Sequence, residues 1–198
     1  MRKGILLSAL LTPLLLLGGC FGQSEAQKNL DLALTIRGEY LSLPGFTAQA
    51  ALTADYGQRV YDYELDVDCA GETTTLTIAA PELLSGITAR WQAEEGFLEY
   101  DGVSVETGPL TDDGLTPMSA VPALLEAARS AYITACCLED GGLLRVDCGS
   151  PDTPPGTGTE FVLWFTPDTH DLVRGEILRD GVRTITCTFS QFTKEGSA

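Results

Sequence analysis

Hydrophobic and polar residues alternate along most of the chain after residue 45. In the stretch 61–69, tyrosine, leucine, valine and cysteine at the odd positions alternate with aspartate and glutamate at the even positions. A period of two is typical of a β-strand with one buried and one solvent-facing side. The same period, interrupted by glycine-containing turns, predicts strands at 46–55, 60–69, 73–79, 87–93, 96–100, 103–107, 143–148, 159–166, 171–179 and 182–192.

Residues 27–43 fit two periods at once. Leu30, Leu32 and Leu34 alternate as in a strand, and apolar residues also recur at helical spacing through the same stretch. The length of the segment and the stop at Pro44 favour a helix.

A second helix is predicted at 119–133. Ser119 is expected to cap it, Pro122 is tolerated in its first turn, and its apolar side ends at Tyr132. One further helical turn is predicted at 81–86, where it ends in glycine.

These elements predict an α+β fold, mainly antiparallel β, in which about nine or more strands form one curved sheet. Such a sheet has to cover its inner face, and two helices supply a partial cover. The interior is then either a filled core or an apolar cavity. Alternation does not distinguish a filled core from a cavity. On the sequence alone, the filled core is the favoured expectation.

The N-terminus has the features of an export signal. Arg2 and Lys3 precede an apolar run at 5–17, which is too short to cross a hydrocarbon layer of about 30 Å. Leu17-Gly18-Gly19-Cys20 resembles the lipobox of bacterial lipoproteins. We therefore expect a signal peptide at 1–19, a lipid-modified Cys20 that begins a tether at 20–28, and a domain at 27–193 held at the outer face of the cell membrane.

Composition excludes several functions. The chain of 198 residues carries 12 Lys+Arg against 28 Asp+Glu, a formal charge of −16 that repels nucleic acid. The single histidine, His170, excludes a multi-histidine metal site and is expected to be a solvated turn residue. Asp112-Asp113-Gly114 and the pair Asp66 and Asp68 lack the spacing of a calcium loop. No catalytic, nucleotide or metal motif is present, so neither an enzyme nor a cofactor is expected.

Five cysteines remain besides Cys20, an odd number, so at least one is free or pairs between chains. The sequence leaves the pairing among Cys69, Cys136, Cys137, Cys148 and Cys187 open. A bond from Cys136 or Cys137 to Cys148 across a glycine turn is the most plausible one. Mostly buried, unreactive thiols are the general expectation.

Short motifs in the second half of the chain carry a resemblance to a known family. They are EFVLWFTPD at 160–168, LVRGEI at 172–177, DGVRTI at 180–185 and the phenylalanines of 189–192, preceded by a proline-to-tryptophan stretch at 81–91 and YDG at 100–102. In this order they resemble the lipoprotein-carrier superfamily (LolA/LppX/RseB-like). The resemblance implies an open half-barrel, with helices on the concave face and a cavity for acyl chains or lipidated partners.

The expected function is therefore a membrane-anchored envelope protein that binds a hydrophobic ligand, either lipid acyl chains or a lipidated protein. The side chains predicted to line the cavity are Tyr61, Tyr63, Leu65, Val67, Leu76, Ile78, Phe165, Ile185 and Phe189. The alternative is an accessory protein that activates an envelope enzyme such as a cell-wall amidase, because some lipoproteins of spore-forming bacteria look similar.

Overall fold

The computed structural model of the chain describes residues 24–92, 95–107 and 115–196. The helices are α1 (Glu25–Ser42) and α2 (Pro117–Ser130), and a 3₁₀ turn covers Glu82–Leu84. The strands are β1 (Gly45–Asp55), β2 (Val60–Ala70), β3 (Thr73–Ala80), β4 (Thr88–Gln92), β5 (Glu95–Tyr100), β6 (Val103–Glu106), β7 (Tyr132–Leu138), β8 (Leu144–Gly149), β9 (Thr159–Phe165), β10 (Leu172–Arg179) and β11 (Val182–Lys194).

All eleven strands form one antiparallel sheet in the order β6-β5-β4-β3-β2-β1-β11-β10-β9-β8-β7. Strands β6 and β7 are its two edges and do not pair with each other, so the sheet is open. Each strand pairs with its neighbour in the chain except where α2 carries the chain from β6 at one edge to β7 at the other. The α+β open half-barrel expected from the sequence is confirmed.

Both helices lie on the concave face, and each buries one side. Ala33, Ile36 and Tyr40 of α1 are buried, which resolves the competing periods of this segment in favour of the helix. Helix α2 packs over β1 and β9–β11. At Gly175 of β10 the helix comes so close that a Cβ atom would lie 2.6 Å from Cδ2 of Leu124. A residue without a side chain is therefore required at this contact.

The predicted second helix was wrong at both ends. Its cap is Thr116, whose side chain accepts a hydrogen bond from the Ser119 amide at 3.1 Å, while the Ser119 side chain accepts from the Thr116 amide. The pair forms a capping box. At the other end Ala131 is extended, and the residues predicted to continue the helix begin β7. Tyr132 and Ile133 favour a strand, and pairing with β8 outweighs the helical pattern.

The N-terminal predictions lie outside the described residues. The signal peptide at 1–19 and the lipidation of Cys20 remain predictions, whereas the tether is shorter than expected because α1 already begins at Glu25. Ser24 caps α1 by accepting a hydrogen bond from the amide of Gln27 at 3.2 Å. Neither described helix is long and apolar enough to cross a membrane.

The expected cysteine pair is not formed. Cys148 lies opposite Ile133, and Cys136 lies opposite Val146, so neither adjacent thiol of β7 faces Cys148. Every cysteine in the described part of the chain is a free thiol. Cys69, Cys148 and Cys187 are buried, and burial raises the pKa values of these thiols to about 11, 11 and 12. They stay protonated at neutral pH, in agreement with the expectation of unreactive thiols.

Candidate functional site

The side chains predicted to line a ligand cavity lie on the helix-facing side of the sheet, but they do not all have the same surroundings. Tyr63 is partly buried against the core, and Tyr61 is 39% exposed with its ring 6.2 Å from that of Tyr56. The others are buried members of the core under the helices: Leu65, Val67, Leu76, Ile78, Phe165, Ile185 and Phe189. The void beside Phe165 measures about 10 Å³, room for one water molecule at most. That these residues contact a ligand remains a prediction.

A much larger cavity of about 720 Å³ lies beside this core. It is an open cavity lined by the C-terminal end of α1, by α2, by the turn between β2 and β3, and by β4. The α2 residues in its lining include three short ones, Ser119, Pro122 and Ala123. The volume is within the range of small-molecule sites.

Apolar and polar residues share the lining of the cavity. Leu41, Leu43, Leu125 and Trp91 form its apolar part. None of the side chains that line the cavity is a cysteine or a histidine, whereas hydroxyl and carboxylate side chains are present.

Trp91 contributes a large aromatic side chain to the cavity wall. Its Nε1 atom is buried and has no acceptor among the described protein atoms. Leaving a buried donor without an acceptor costs about 1–3 kcal/mol.

Arg129 supplies the positive charge. It lies in the last turn of α2, and its Nε donates to the Tyr40 carbonyl at 3.2 Å. This carbonyl belongs to the last turn of α1, where helical partners run out, so the contact fixes the two helix ends together. No described carboxylate forms an ion pair with the guanidinium, although Glu72 and Glu126 also line the cavity, where both are solvent-exposed. The terminal nitrogens of Arg129 are thus available to an acceptor.

Tyr40 holds this end of the cavity in place. Its hydroxyl accepts a hydrogen bond from the Leu172 amide at 2.9 Å, and its ring contacts Phe165 edge-on at 5.6 Å. Burial raises the pKa of Tyr40 above its usual range. The group is therefore a neutral structural link from α1 to β10.

His170 is not the solvated turn residue that the sequence predicted. Its side chain is 17% exposed, and Nδ1 lies 2.7 Å from Oε1 of Glu39 in α1. Lys194 lies 3.9 Å from Oε2 of the same carboxylate and 3.3 Å from Oδ1 of Asp171. Packing of α1 over the β9–β10 turn buries the ring, which local sequence did not reveal. The cluster ties α1 to the sheet.

The described residues contain no group of three or more histidine, cysteine or acidic side chains able to hold a metal ion. Asp66 and Asp68 lie on the convex face of β2, where Gln49 reaches Asp66 at 3.5 Å. Asp112-Asp113-Gly114 lies outside the described residues.

Sequence reasoning missed the residues that give the cavity its polar character. Trp91 was noted only as part of a motif, although it has the same strand parity as Ala89, which faces the core. Arg129 follows the apolar side of α2, and its position beside Trp91 depends on how the helix crosses the sheet. Parity was the one signal that could have found Trp91.

No protein-family model matches this chain, and no curated protein matches it in sequence. Among solved structures, it is similar to a DUF1329 family protein from Desulfovibrio piger, with 10% identity over 88% of this chain and 95% of that one, at a TM-score of 0.50. An uncharacterized conserved protein from Thermus thermophilus matches with 12% identity over 88% and 90%, also at 0.50. A LolA superfamily protein from Nitrosomonas europaea matches with 13% identity over 86% and 93%, at 0.45.

At these identities the likenesses concern the fold alone. Identities of 10–13% leave the ligand to be argued from the residues of this chain.

Proposed function

We propose that this protein is a lipid-anchored component of the bacterial cell envelope that binds one amphiphilic ligand in the cavity between α2 and β4. One observation carries the proposal. In the lining of this cavity, leucines and Trp91 offer apolar contacts, and the Arg129 guanidinium forms no ion pair with a described carboxylate. The complementary ligand has an apolar chain and a headgroup that accepts hydrogen bonds, such as a carboxylate or a phosphate ester.

Burial of the chain supplies most of the binding energy. Each methylene moved from water into the cavity contributes about 0.8 kcal/mol, so ten contribute about 8 kcal/mol before the costs of association. The Arg129 guanidinium adds orientation, since a charge-assisted hydrogen bond is stronger than a neutral one. Ligands of equal chain length are therefore distinguished by their headgroups.

The anchor follows from the lipobox-like sequence that ends at Cys20. A diacylglyceryl cysteine gives stable attachment to a membrane, where a single acyl chain is marginal. The proposed domain is thereby confined to the membrane surface and binds its ligand there instead of carrying it through solution.

Filling the cavity tests the proposal. Ala123 lines the cavity from α2, and an Ala123→Trp substitution occupies the space above Trp91. Ala51 is exposed on the opposite face of the sheet, so Ala51→Trp is the matched control. Binding of the fluorescent fatty acid cis-parinaric acid to the full chain should weaken at least tenfold in Ala123→Trp and stay unchanged in Ala51→Trp. Equal binding by both variants, with unchanged circular dichroism, would rule out this cavity as the site.

A second candidate function, binding of an envelope protein, is favoured by the free edge at β6. Val103 and Val105 are 63% and 57% exposed, and with Leu98 and Tyr100 they line an apolar depression of about 430 Å³. A free edge with an apolar side suits the addition of an extended segment of another protein.

Val105→Lys, with Thr75→Lys on the convex face of β3 as control, tests this second function. A photoreactive group on Ser104 should cross-link to one protein in the producing cells. The cross-link should disappear in Val105→Lys and persist in Thr75→Lys. If it survives in both variants, β6 is not the binding edge.

A further inference from the structure

An uncharged stripe runs along the outer side of α1. Leu30, Leu34, Gly38 and Leu41 follow one another at intervals of four, four and three residues, which places them on one side of the helix. Leu34 and Leu41 are 49% and 64% exposed. A Cβ atom on Gly38 would meet no other atom within 4 Å, so nothing in the described structure covers the middle of the stripe. Within the described part of the chain, Leu34, Gly38 and Leu41 are therefore exposed, and Leu30 is half-buried.

The sequence places this stripe close to a membrane. Cys20 precedes the capping residue Ser24 by four positions, a stretch that spans at most about 14 Å when extended. Helix α1 has 18 residues and is therefore about 27 Å long. A lipid on Cys20 holds the first turn of α1 near the membrane surface, and the helix then either projects from the surface or lies along it.

We propose that α1 lies along the membrane surface with its uncharged stripe in the headgroup region. The inference goes beyond the proposed ligand binding and rests on the lipidation of Cys20. The short tether keeps the stripe at a high effective concentration beside the bilayer, so a weak apolar contact is sufficient. Exposed leucines flanked by polar side chains suit the boundary between headgroups and acyl chains.

With α1 in this orientation, the cavity lies next to the membrane surface. Leu41 belongs to the stripe and also lines the cavity beside Arg129. The mouth of the cavity therefore opens at the bilayer surface, where amphiphiles reside, and a ligand enters without crossing water.

The negative charge of the protein determines which kind of membrane surface it can contact. The chain carries a formal charge of −16, and α1 itself has three carboxylates against two cations. An anionic bilayer repels such a protein, and the repulsion is screened by salt. The stripe is therefore expected to contact zwitterionic phospholipids, and the contact should weaken in anionic vesicles at low ionic strength.

Photo-cross-linking of the full, lipidated chain in phosphatidylcholine vesicles tests the orientation. The photoreactive amino acid p-benzoylphenylalanine is placed at Leu34 or at Gly38, neither of which lines the cavity. Thr35 is the matched control, because it is exposed in the same turn but lies about 100° around the helix from Leu34. Lipid adducts, identified by mass spectrometry, should form at Leu34 and Gly38 at least fivefold more often than at Thr35.

Three results would overturn the inference. Equal lipid yields at all three positions, or none at any, would mean that α1 does not rest on the bilayer. Adducts to a second protein would assign the stripe to a protein partner. A mature chain without a diacylglyceryl group on Cys20 would remove the premise, while binding of cis-parinaric acid and its loss in Ala123→Trp would still report on the cavity separately.

Discussion

The contact between Gly175 and Leu124 decides how closely α2 approaches the sheet, and a Gly175→Ala substitution tests it. The new Cβ atom would lie 2.6 Å from Cδ2, 2.7 Å from Cδ1 and 3.1 Å from Cγ of Leu124. Leu124 is fully buried, so its side chain has no free space into which to rotate. Overpacking of this kind costs about 1–3 kcal/mol. The free energy of unfolding should fall by that amount.

Gly149 of β8 provides the matched control. A Cβ atom there would lie 3.7 Å from Cγ2 of Thr134, an ordinary van der Waals distance. Gly149→Ala should therefore be neutral or stabilising by up to about 1 kcal/mol, because alanine reduces the freedom of the unfolded chain. Urea unfolding of the full chain in dilute non-ionic detergent, followed by tryptophan fluorescence, measures both variants.

A double substitution separates the clash from a general loss of stability. Leu124→Ala alone should cost about 2–5 kcal/mol through the cavity it leaves. In the double variant the Gly175→Ala penalty should largely vanish, since the colliding atoms are gone, and the two effects should be non-additive by about 1–3 kcal/mol. If Gly175→Ala is as stable as Gly149→Ala, then α2 does not rest on β10 as described and the cavity beside it loses its wall.

Three further predictions concern the cavity and the buried thiols. Arg129→Gln should weaken binding of cis-parinaric acid about tenfold, the equivalent of about 1.4 kcal/mol. The control Arg90→Gln breaks an ion pair with Glu99 away from the cavity and should leave the affinity for this probe unchanged. Trp91→Phe should stabilise the ligand-free protein by up to about 1 kcal/mol, because it removes a buried donor without an acceptor. The same variant should bind cis-parinaric acid more weakly. A loss of stability in urea unfolding would contradict the expected stabilisation. Burial raises the pKa of Cys187 from 9.0 to about 12, so above pH 9 the unfolded chain releases a proton that the folded chain retains, and the free energy of unfolding should fall as pH rises. Cys187→Ala should reduce this fall in the free energy of unfolding between pH 9 and 10.5 by about 1–2 kcal/mol. An unchanged dependence of stability on pH would refute the assignment.

Strand predictions succeeded where apolar and polar residues alternate along the strand. The segment 60–69 was predicted and Val60–Ala70 is observed, because a period of two is imposed by each residue's own geometry. The sequence did not predict β7, because the alternation is missing there. Its exposed and partly buried residues show no regular alternation, since one side of this edge strand has no neighbour and α1 covers its inner face only in part.

Strand parity predicts which residues face the inner side of the sheet, but it does not predict whether they contact a ligand. Leu65 and Ile185 were placed on the inner face and are there, yet both are fully buried in the core. Whether an inward residue meets another side chain or an open cavity depends on where the helix crosses the sheet. Ala123 and Pro122, which are small residues in a helix, leave space because the segment that carries them happens to pass beside β4.

By itself, the sequence determined the strands, the turns between them, the helical character of α1 and the lipobox-like cysteine, because each depends on neighbours in the chain. The tertiary structure alone decided the start of β7, the burial of His170 against Glu39, and the meeting of Trp91 and Arg129 in one cavity. These features join segments far apart in sequence, and their geometry depends on strand pairing and on how the two helices pack on the sheet. No local sequence pattern encodes that packing.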